Sequence, residues 1–370
     1  MPEYLSSNFV GAFYIALQLT MLATKGFSPY EYHGLYNRRN KKMRNKIKKS
    51  LIVFLSSVMV LTASACGNKK QAADTDSGSD SQQTTSQSAS SEKDSSIIKD
   101  REGNDFEIPD HADKIISMAP AITQTLVDLG LGDKLVAVDK YSLSIKGVDQ
   151  DLPAYDIMAP DVESISSLKP DIIFTTGMSK SGGEDPFKPI TDLGLLMTSI
   201  PSASSLDDIK EDILFIGEST KTDEKAEKLV SDMESKIKDI KDKVNNDKPE
   251  KTVYFEIGES PNLVSIGNGT YLNEIIEMLG AKNIFSDQEG WVSVSDESVM
   301  SENPDIILTN VDYLEDPVSD ILNRNGWDAL DAVKNKQVFL IDPNASSQPN
   351  AHVVTAIEQI AKALYPETFK

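Results

Sequence analysis

Two glutamates, Glu163 and Glu297, open two stretches that nearly repeat one another: ESISSLKPDIIFTT at 163–176 and ESVMSENPDIILTN at 297–310. The copies agree at Glu-Ser, at a middle serine and at Pro-Asp-Ile-Ile, with apolar residues matched at the third and twelfth places. Each glutamate falls in the first turn of a short helix that must end before a proline, and the helix dipole favours an acid there. Other side chains able to do chemistry are scarce. Beyond Cys66 the chain has two histidines, His111 and His352, near opposite ends of what remains, which gives no basis for the His and carboxylate cluster that bare zinc or manganese needs. It has two arginines there, Arg101 and Arg324, few for gripping an anionic catecholate or carboxylate siderophore. No stretch reads G-x-S-x-G and no histidine stands near a nucleophile, so a secreted two-lobed α/β hydrolase remains a reading without a motif. Acids are so abundant that a carboxylate pair proves nothing.

The elements that must position these residues follow from the pattern. A chain of 370 residues with 39% hydrophobic content has room for two domains or lobes. The first 65 residues carry nine Lys or Arg and two acids, and the rest carries 28 against 56. That acidic surface repels nucleic acid and anionic lipid head groups, so neither is an expected partner of the folded part. In the first half KIISMAP reads as a strand from Lys114, ITQTLVDLG as a helix ending at Gly130 or Gly132, and IIF as a buried strand after a short helix capped by Asp161. The second half repeats the order with TVYFEIG, TYLNEIIEMLG and IIL, the short helix now capped by Ser295. Between the halves, Ala226, Leu229, Val230, Met233, Ile237, Ile240 and Val244 keep helical spacing, which predicts one long helix over 220–247. The fold class is therefore α/β: two duplicated lobes, 97–219 and 248–370, joined by one long rigid helix, with a ligand cleft between them. A small hairpin is expected around Glu102, Gly103 and Asn104.

The N-terminal hundred residues read differently. MRNKIKKSLIVFLSSVMVLTASAC, residues 43–66, has the basic start, apolar run and small residues of a secretory signal peptide over 43–65. Ala63-Ser64-Ala65-Cys66 resembles a bacterial lipobox, so Cys66 is the expected lipidation site. It is the sole cysteine, and no internal disulfide can form. Residues 66–96, almost without apolar side chains, read as a disordered tether. Residues 1–42 read as a mis-assigned start, with Met43 the true one, or as an extra apolar segment.

From residue 97 onward the chain resembles the substrate-binding proteins of ABC importers, in the class with two lobes bridged by one helix that serves cobalamin, ferric siderophores and haem. KIISMAPAITQTLVDLGLGDKLVAVDKY is similar to that family's opening strand, helix and strand, and GNGTYLNEIIEMLGAKNI to the start of its second lobe; GWVSVSDESVMSENPDII and GWDALDAVKNKQVFLID add two more matches. The resemblance implies no catalysis, a monomer held at the outer face of the cell membrane by a lipid on Cys66, and an ABC permease and ATPase as partners. It also places Glu163 and Glu297 at the positions where the family docks on arginines of the permease. A surface adhesin or signalling protein with the same fold is the remaining alternative.

In open α/β sheets ligands bind beyond the carboxyl ends of the strands. Those loops make Ala119, Pro120, Tyr141, Thr176, Gly177, Pro261, Trp291, Asn344 and Asn350 the expected ligand contacts, with Tyr141 and Trp291 matching aromatic cleft positions of the family. Trp327 reads as core. With no intrinsic cofactor expected, the transported ligand reads as a metal chelate of little negative charge: cobalamin or another corrinoid first, a hydroxamate siderophore second, haem third, where His352 or a tyrosine would reach iron.

Overall fold

A computed structural model describes residues 97–180, 185–244 and 250–369. The signal peptide, Cys66, the tether and the apolar segment before them lie outside the described residues. The chain enters through an antiparallel hairpin of β1 (Ile97–Lys99) and β2 (Asp105–Glu107). Then β3 (Ile115–Ser117), β4 (Leu135–Asp139), β5 (Ala154–Tyr155), β6 (Ile172–Thr176) and β7 (Met197–Ile200) form a parallel sheet in the order β5-β4-β3-β6-β7. Helices α1 (Pro120–Asp128), α2 (Val162–Ser167) and α3 (Lys188–Asp192) make the crossovers, and α4 (Leu206–Ser219) and α5 (Asp223–Lys243) lead out of the lobe.

The second lobe runs β8 (Thr252–Glu256), β9 (Val264–Ile266), α6 (Tyr271–Met278), β10 (Lys282–Asn283), β11 (Trp291–Ser293), α7 (Asp296–Glu302), β12 (Ile306–Thr309), α8 (Pro317–Leu322), α9 (Asp331–Lys334), β13 (Val338–Leu340), α10 (Pro343–Ser347) and α11 (Val353–Leu364). Its parallel sheet has the order β10-β8-β12-β13, and β9 pairs with β11 in a separate antiparallel ribbon.

The repeated Pro-Asp-Ile-Ile has a mechanical reason. In each copy the proline follows a helix-ending residue with positive φ, Lys169 at 51° and Asn303 at 44°. The aspartate then ties two strands together at their starts. Asp171 Oδ2 accepts the amides of Asp113 and Lys114, both at 2.9 Å, just ahead of β3. Asp305 Oδ2 accepts the Thr252 amide and hydroxyl, both at 2.8 Å, at the start of β8. The two isoleucines of each copy are buried in the sheet. The longer helices match too: α1 and α6 are each followed by a glycine at positive φ, Gly130 at 77° and Gly280 at 72°, a conformation a side chain would strain.

The bridging helix α5 has 21 residues, about 31 Å at 1.5 Å each. Its buried face is Ala226, Val230, Met233 and Ile240, with Leu229, Ile237 and Val244 packed beside it, so the face expected from spacing forms within narrower ends, 223–243. It lies against α4, which the sequence reading passed over. A Cβ built on Gly217 of α4 would meet Ala226 Cβ at 2.3 Å, so the two helices touch backbone to side chain with no space for more. Gly217→Val should therefore force the helices apart and lower stability by about 1–3 kcal/mol, read as a fall in urea midpoint. An unchanged midpoint would show that the α4–α5 contact has slack.

Candidate functional site

Because both sheets are parallel, their strand ends gather loops at one edge of each lobe, and the two edges enclose a cavity of about 300 Å³. The first lobe contributes the start of α1 (Ala119–Ile122), Asp139 and Tyr141 after β4, Thr176 and Met178 after β6, and Ile200–Ala203 after β7. The second contributes Ile257 after β8, Asn310–Tyr313 after β12, Trp291 of β11 and Ser346–Pro349. Ile213 and Ile216 of α4 and Tyr271 and Leu272 of α6 complete the wall. Trp291 is 47% exposed, an unusual position for an indole unless something covers it.

The polar side chains in this wall are amides, hydroxyls, carboxylates and the Trp291 indole; among the described residues that line it none is Lys, Arg or His. Both arginines stand close behind it and are already engaged. Arg101 reaches Asp212, one of the wall residues, with Nε and Nη2 at 3.1 Å each, and gives a further hydrogen bond to the Pro201 carbonyl at 2.8 Å. Arg324 forms two parallel bonds to Glu256, at 2.7 and 2.8 Å, one residue before Ile257 of the wall. Burial pushes the Glu256 carboxyl up, and Arg324 offsets it. Arg324 also stacks over Trp327, 4.3 Å from the ring centre, while the Trp327 indole N–H donates to Asp296 at 2.7 Å. Trp327 is thus core, as its setting in the sequence suggested.

Two contacts join the lobes beside the cavity. The Glu274 carboxylate of α6 accepts the Leu206 amide at 2.7 Å, supplying a partner to a free N–H at the start of α4. His352 Nε2 lies 3.0 Å from Asp128 Oδ2 at the end of α1, and that carboxylate raises the imidazole pKa above its ordinary value. His352 therefore faces Asp128 and is not part of the cavity wall. His111 sits by Asp171 at 3.4 Å, at the opposite end of the sheet.

Of the residues expected from sequence, Ala119, Pro120, Tyr141, Thr176 and Trp291 line the cavity and four do not. A Cβ built on Gly177 would lie against the backbone of Pro201 and Ser202, and Met178 takes the wall position instead. Pro261 is exposed at the tip of a turn closed by the Asn262 amide on the Glu259 carbonyl. Asn344 is exposed and accepts from its own helix neighbour Gln348 at 2.9 Å. Asn350 is buried, its oxygen taking the His352 amide at 2.8 Å. The loop Asn310–Tyr313 was missed, although it follows β12 as Thr176–Met178 follows β6, so the duplication itself carried the signal. Glu163 and Glu297 hold equivalent places, second residue of α2 and of α7, both exposed.

The family model described as periplasmic binding protein matches residues 115–345. An uncharacterized ABC transporter substrate-binding lipoprotein of Bacillus subtilis, YvrC, is 33% identical over 279 residues, covering 74% of this chain and 86% of the relative. The vitamin B12-binding protein of Vibrio cholerae is 27% identical over 264 residues, 69% of this chain and 90% of the relative; its crystal structure superposes with a TM-score of 0.58 at 26% identity, covering 69% of this chain and 97% of the other. The molybdate-binding protein MolA of Haemophilus influenzae, solved with molybdate, gives a TM-score of 0.63 at 26% identity, covering 74% of this chain and 92% of the other.

The contact of His352 with Asp128 makes one sign of pH dependence testable. A histidine with a raised folded pKa adds stability that is complete below its unfolded value of 6.5 and lost as pH rises through the folded value. His352→Gln should therefore be less stable than the parent at about pH 5.5 and converge with it near pH 9, as urea midpoints measured at both pH values would report. Equal midpoints at the lower pH would mean that the ion pair does not form in solution.

Proposed function

The chain belongs to the periplasmic binding protein family, and we propose that it is the extracytoplasmic receptor of an ABC importer, capturing a metal chelate of little negative charge. A transport role follows the relatives, which are ABC transporter substrate-binding proteins, and none of its steps calls for catalysis. The relatives' own ligands are diverse, so the ligand must be argued from the cavity. The observation that carries the reading is the composition of the wall: Tyr141, Trp291 and Tyr313 supply aromatic faces, Asn310 and Ser347 supply neutral polar groups, and no wall residue among those described carries positive charge. An oxyanion or a polyanionic catecholate would meet carboxylates and neutral groups there, with no cation among the described wall residues to balance its charge. A neutral corrinoid is gripped by aromatic faces and amides, a neutral ferric hydroxamate next best, and haem, with its propionates, third. The volume is at the lower end for small-molecule sites, so a corrinoid fills the cleft and projects past Trp291.

Support for a lipid anchor on Cys66 comes from its lipobox-like setting and from the lipoprotein name of the Bacillus relative. In this reading Glu163 and Glu297, at matched positions of the two lobes, are acidic knobs for a two-fold permease.

Calorimetry against cyanocobalamin, ferrichrome, haemin and molybdate under one set of conditions should give the tightest binding for cyanocobalamin. Trp291→Ala should weaken that binding by about 1–3 kcal/mol, the loss usual for a large aromatic contact. Tight molybdate binding would overturn the charge argument, and a ferrichrome response without a cyanocobalamin one would reverse the order. For docking, the Glu163→Ala, Glu297→Ala double variant should keep ligand affinity and thermal stability while losing most uptake in vesicles reconstituted with the permease and ATPase. Undiminished uptake would leave both acids as helix-start residues only.

A further inference from the structure

Under the first-lobe wall of the cavity lies a chain of four side chains that are completely buried: Ser117, Thr123, Asp139 and Ser142. Asp139 ends β4, and its Oδ1 accepts the Tyr141 amide at 2.8 Å. Its Oδ2 bonds the Ser142 hydroxyl. Ser142 Oγ is 2.9 Å from Thr123 Oγ1, which is 2.8 Å from Ser117 Oγ and 3.1 Å from the Ala119 carbonyl. Ser117 Oγ is itself 3.5 Å from that carbonyl. The chain therefore connects two turns that both face the ligand cavity, the one at Tyr141 and the one at Ala119 and Pro120.

Counting protons gives the chain a direction. Each hydroxyl has one proton to donate, and an ionised carboxylate has none. With Asp139 ionised, Ser142 donates to it, Thr123 donates to Ser142 and Ser117 donates to Thr123, leaving the Ala119 carbonyl with the Thr123 amide at 2.9 Å and no hydroxyl. With Asp139 protonated every bond reverses: Asp139 donates to Ser142, Ser142 to Thr123, Thr123 to Ser117, and Ser117 to Ala119. Both arrangements satisfy the buried groups, and they differ at the cavity wall.

We propose that Asp139 is a positioning residue of the ligand cavity, setting the Tyr141 turn against the Ala119–Pro120 turn through this reversible relay of three hydroxyls. The proposal rests on the cavity being the ligand site. Burial raises the Asp139 carboxyl to about 6, against the pull of its bonds from Ser142 and Tyr141, so both directions are populated near neutral pH. The charged and titratable neighbours are few. Just past β4 and β5, Lys140 and Asp156 pair with each other at 3.2 Å. Tyr155 of β5, opposite Asp139, shares its phenol with Ser164. Tyr141 is on the following turn, β3 presents no titratable group, and the one on α1, Asp128, is at its far end with His352. A ligand seated on this wall displaces the solvent nearest Asp139 and so favours its neutral form, so affinity should rise on acidification.

The test has a part that needs no ligand. In isotope-labelled protein, the Tyr141 amide nitrogen and the Ala119 carbonyl carbon should titrate together with a midpoint near 6. Asp139→Asn should flatten both. Thr123→Val, which cuts the relay and leaves the Asp139 bond to Tyr141, should keep the Tyr141 titration and abolish that of Ala119. A purely packing role for these side chains predicts no such separation. Persistence of the Ala119 titration in Thr123→Val, or of either titration in Asp139→Asn, overturns the proposal. With cyanocobalamin as the probe, binding should be tighter at about pH 5 than at about pH 7.5, and each pH unit by which it raises the Asp139 midpoint changes Kd about tenfold. Asp139→Asn should bind with no such dependence. If cyanocobalamin fails to bind any form, the ligand assignment fails and the resonance titrations still decide the relay.

Discussion

The closeness of α4 and α5 is the constraint on which the arrangement of the lobes depends. Gly217 and Ala226 meet where no larger side chain fits, so the long helix that leaves the first lobe is held along the last helix of that lobe before it reaches the second. The same α4 turns Ile213 and Ile216 into the cavity and gives its first amide to Glu274 of the other lobe. One helix therefore packs the bridge, floors the cavity and touches both lobes. A hinge made of a stiff helix, braced in this way, confines relative motion of the lobes to small angles. Opening the cleft means loosening the Glu274 and His352 contacts while the helix pair stays intact.

Much of this was legible in the residues. The duplication followed from Pro-Asp-Ile-Ile and from the matched helices ending in glycine, because strand clamps and helix stops are local chemistry that one residue type serves best. The apolar stripe of α5 was legible for the same reason, its period being intrinsic to the helix. Tyr141 reached the cavity as expected since the carboxyl end of a parallel strand has one place to go, and Trp291 reached it from the start of β11 in the antiparallel ribbon. Pro261 and Asn344 did not, because which loop residue turns inward depends on hydrogen bonds formed by neighbours, such as Gln348 on Asn344, that no pattern announces. Asp212 was invisible as a wall residue. Its role depends on Arg101, which is 111 positions earlier and arrives by way of the first hairpin.

Buried charge is distributed with a consistent logic. Arg101 holds Asp212 at the wall and Arg324 holds Glu256 one residue behind it, as the cost of burying any unpaired charge requires. Among the described wall residues an anionic ligand meets no cation, the observation on which the proposed preference for a neutral chelate depends.

The most direct measurement of that reading uses the indole at the mouth of the cleft. The protein has two tryptophans, Trp327 fully buried and Trp291 on the cavity wall. Fluorescence titration with cyanocobalamin, compared between the parent protein and Trp291→Phe after correction for absorbance by the ligand, isolates the wall indole. The account predicts saturable quenching at one ligand per chain in the parent, with the Trp291 component lost in the variant. Identical titrations of the two proteins, or no saturation with cyanocobalamin, ferrichrome or haemin, would contradict it.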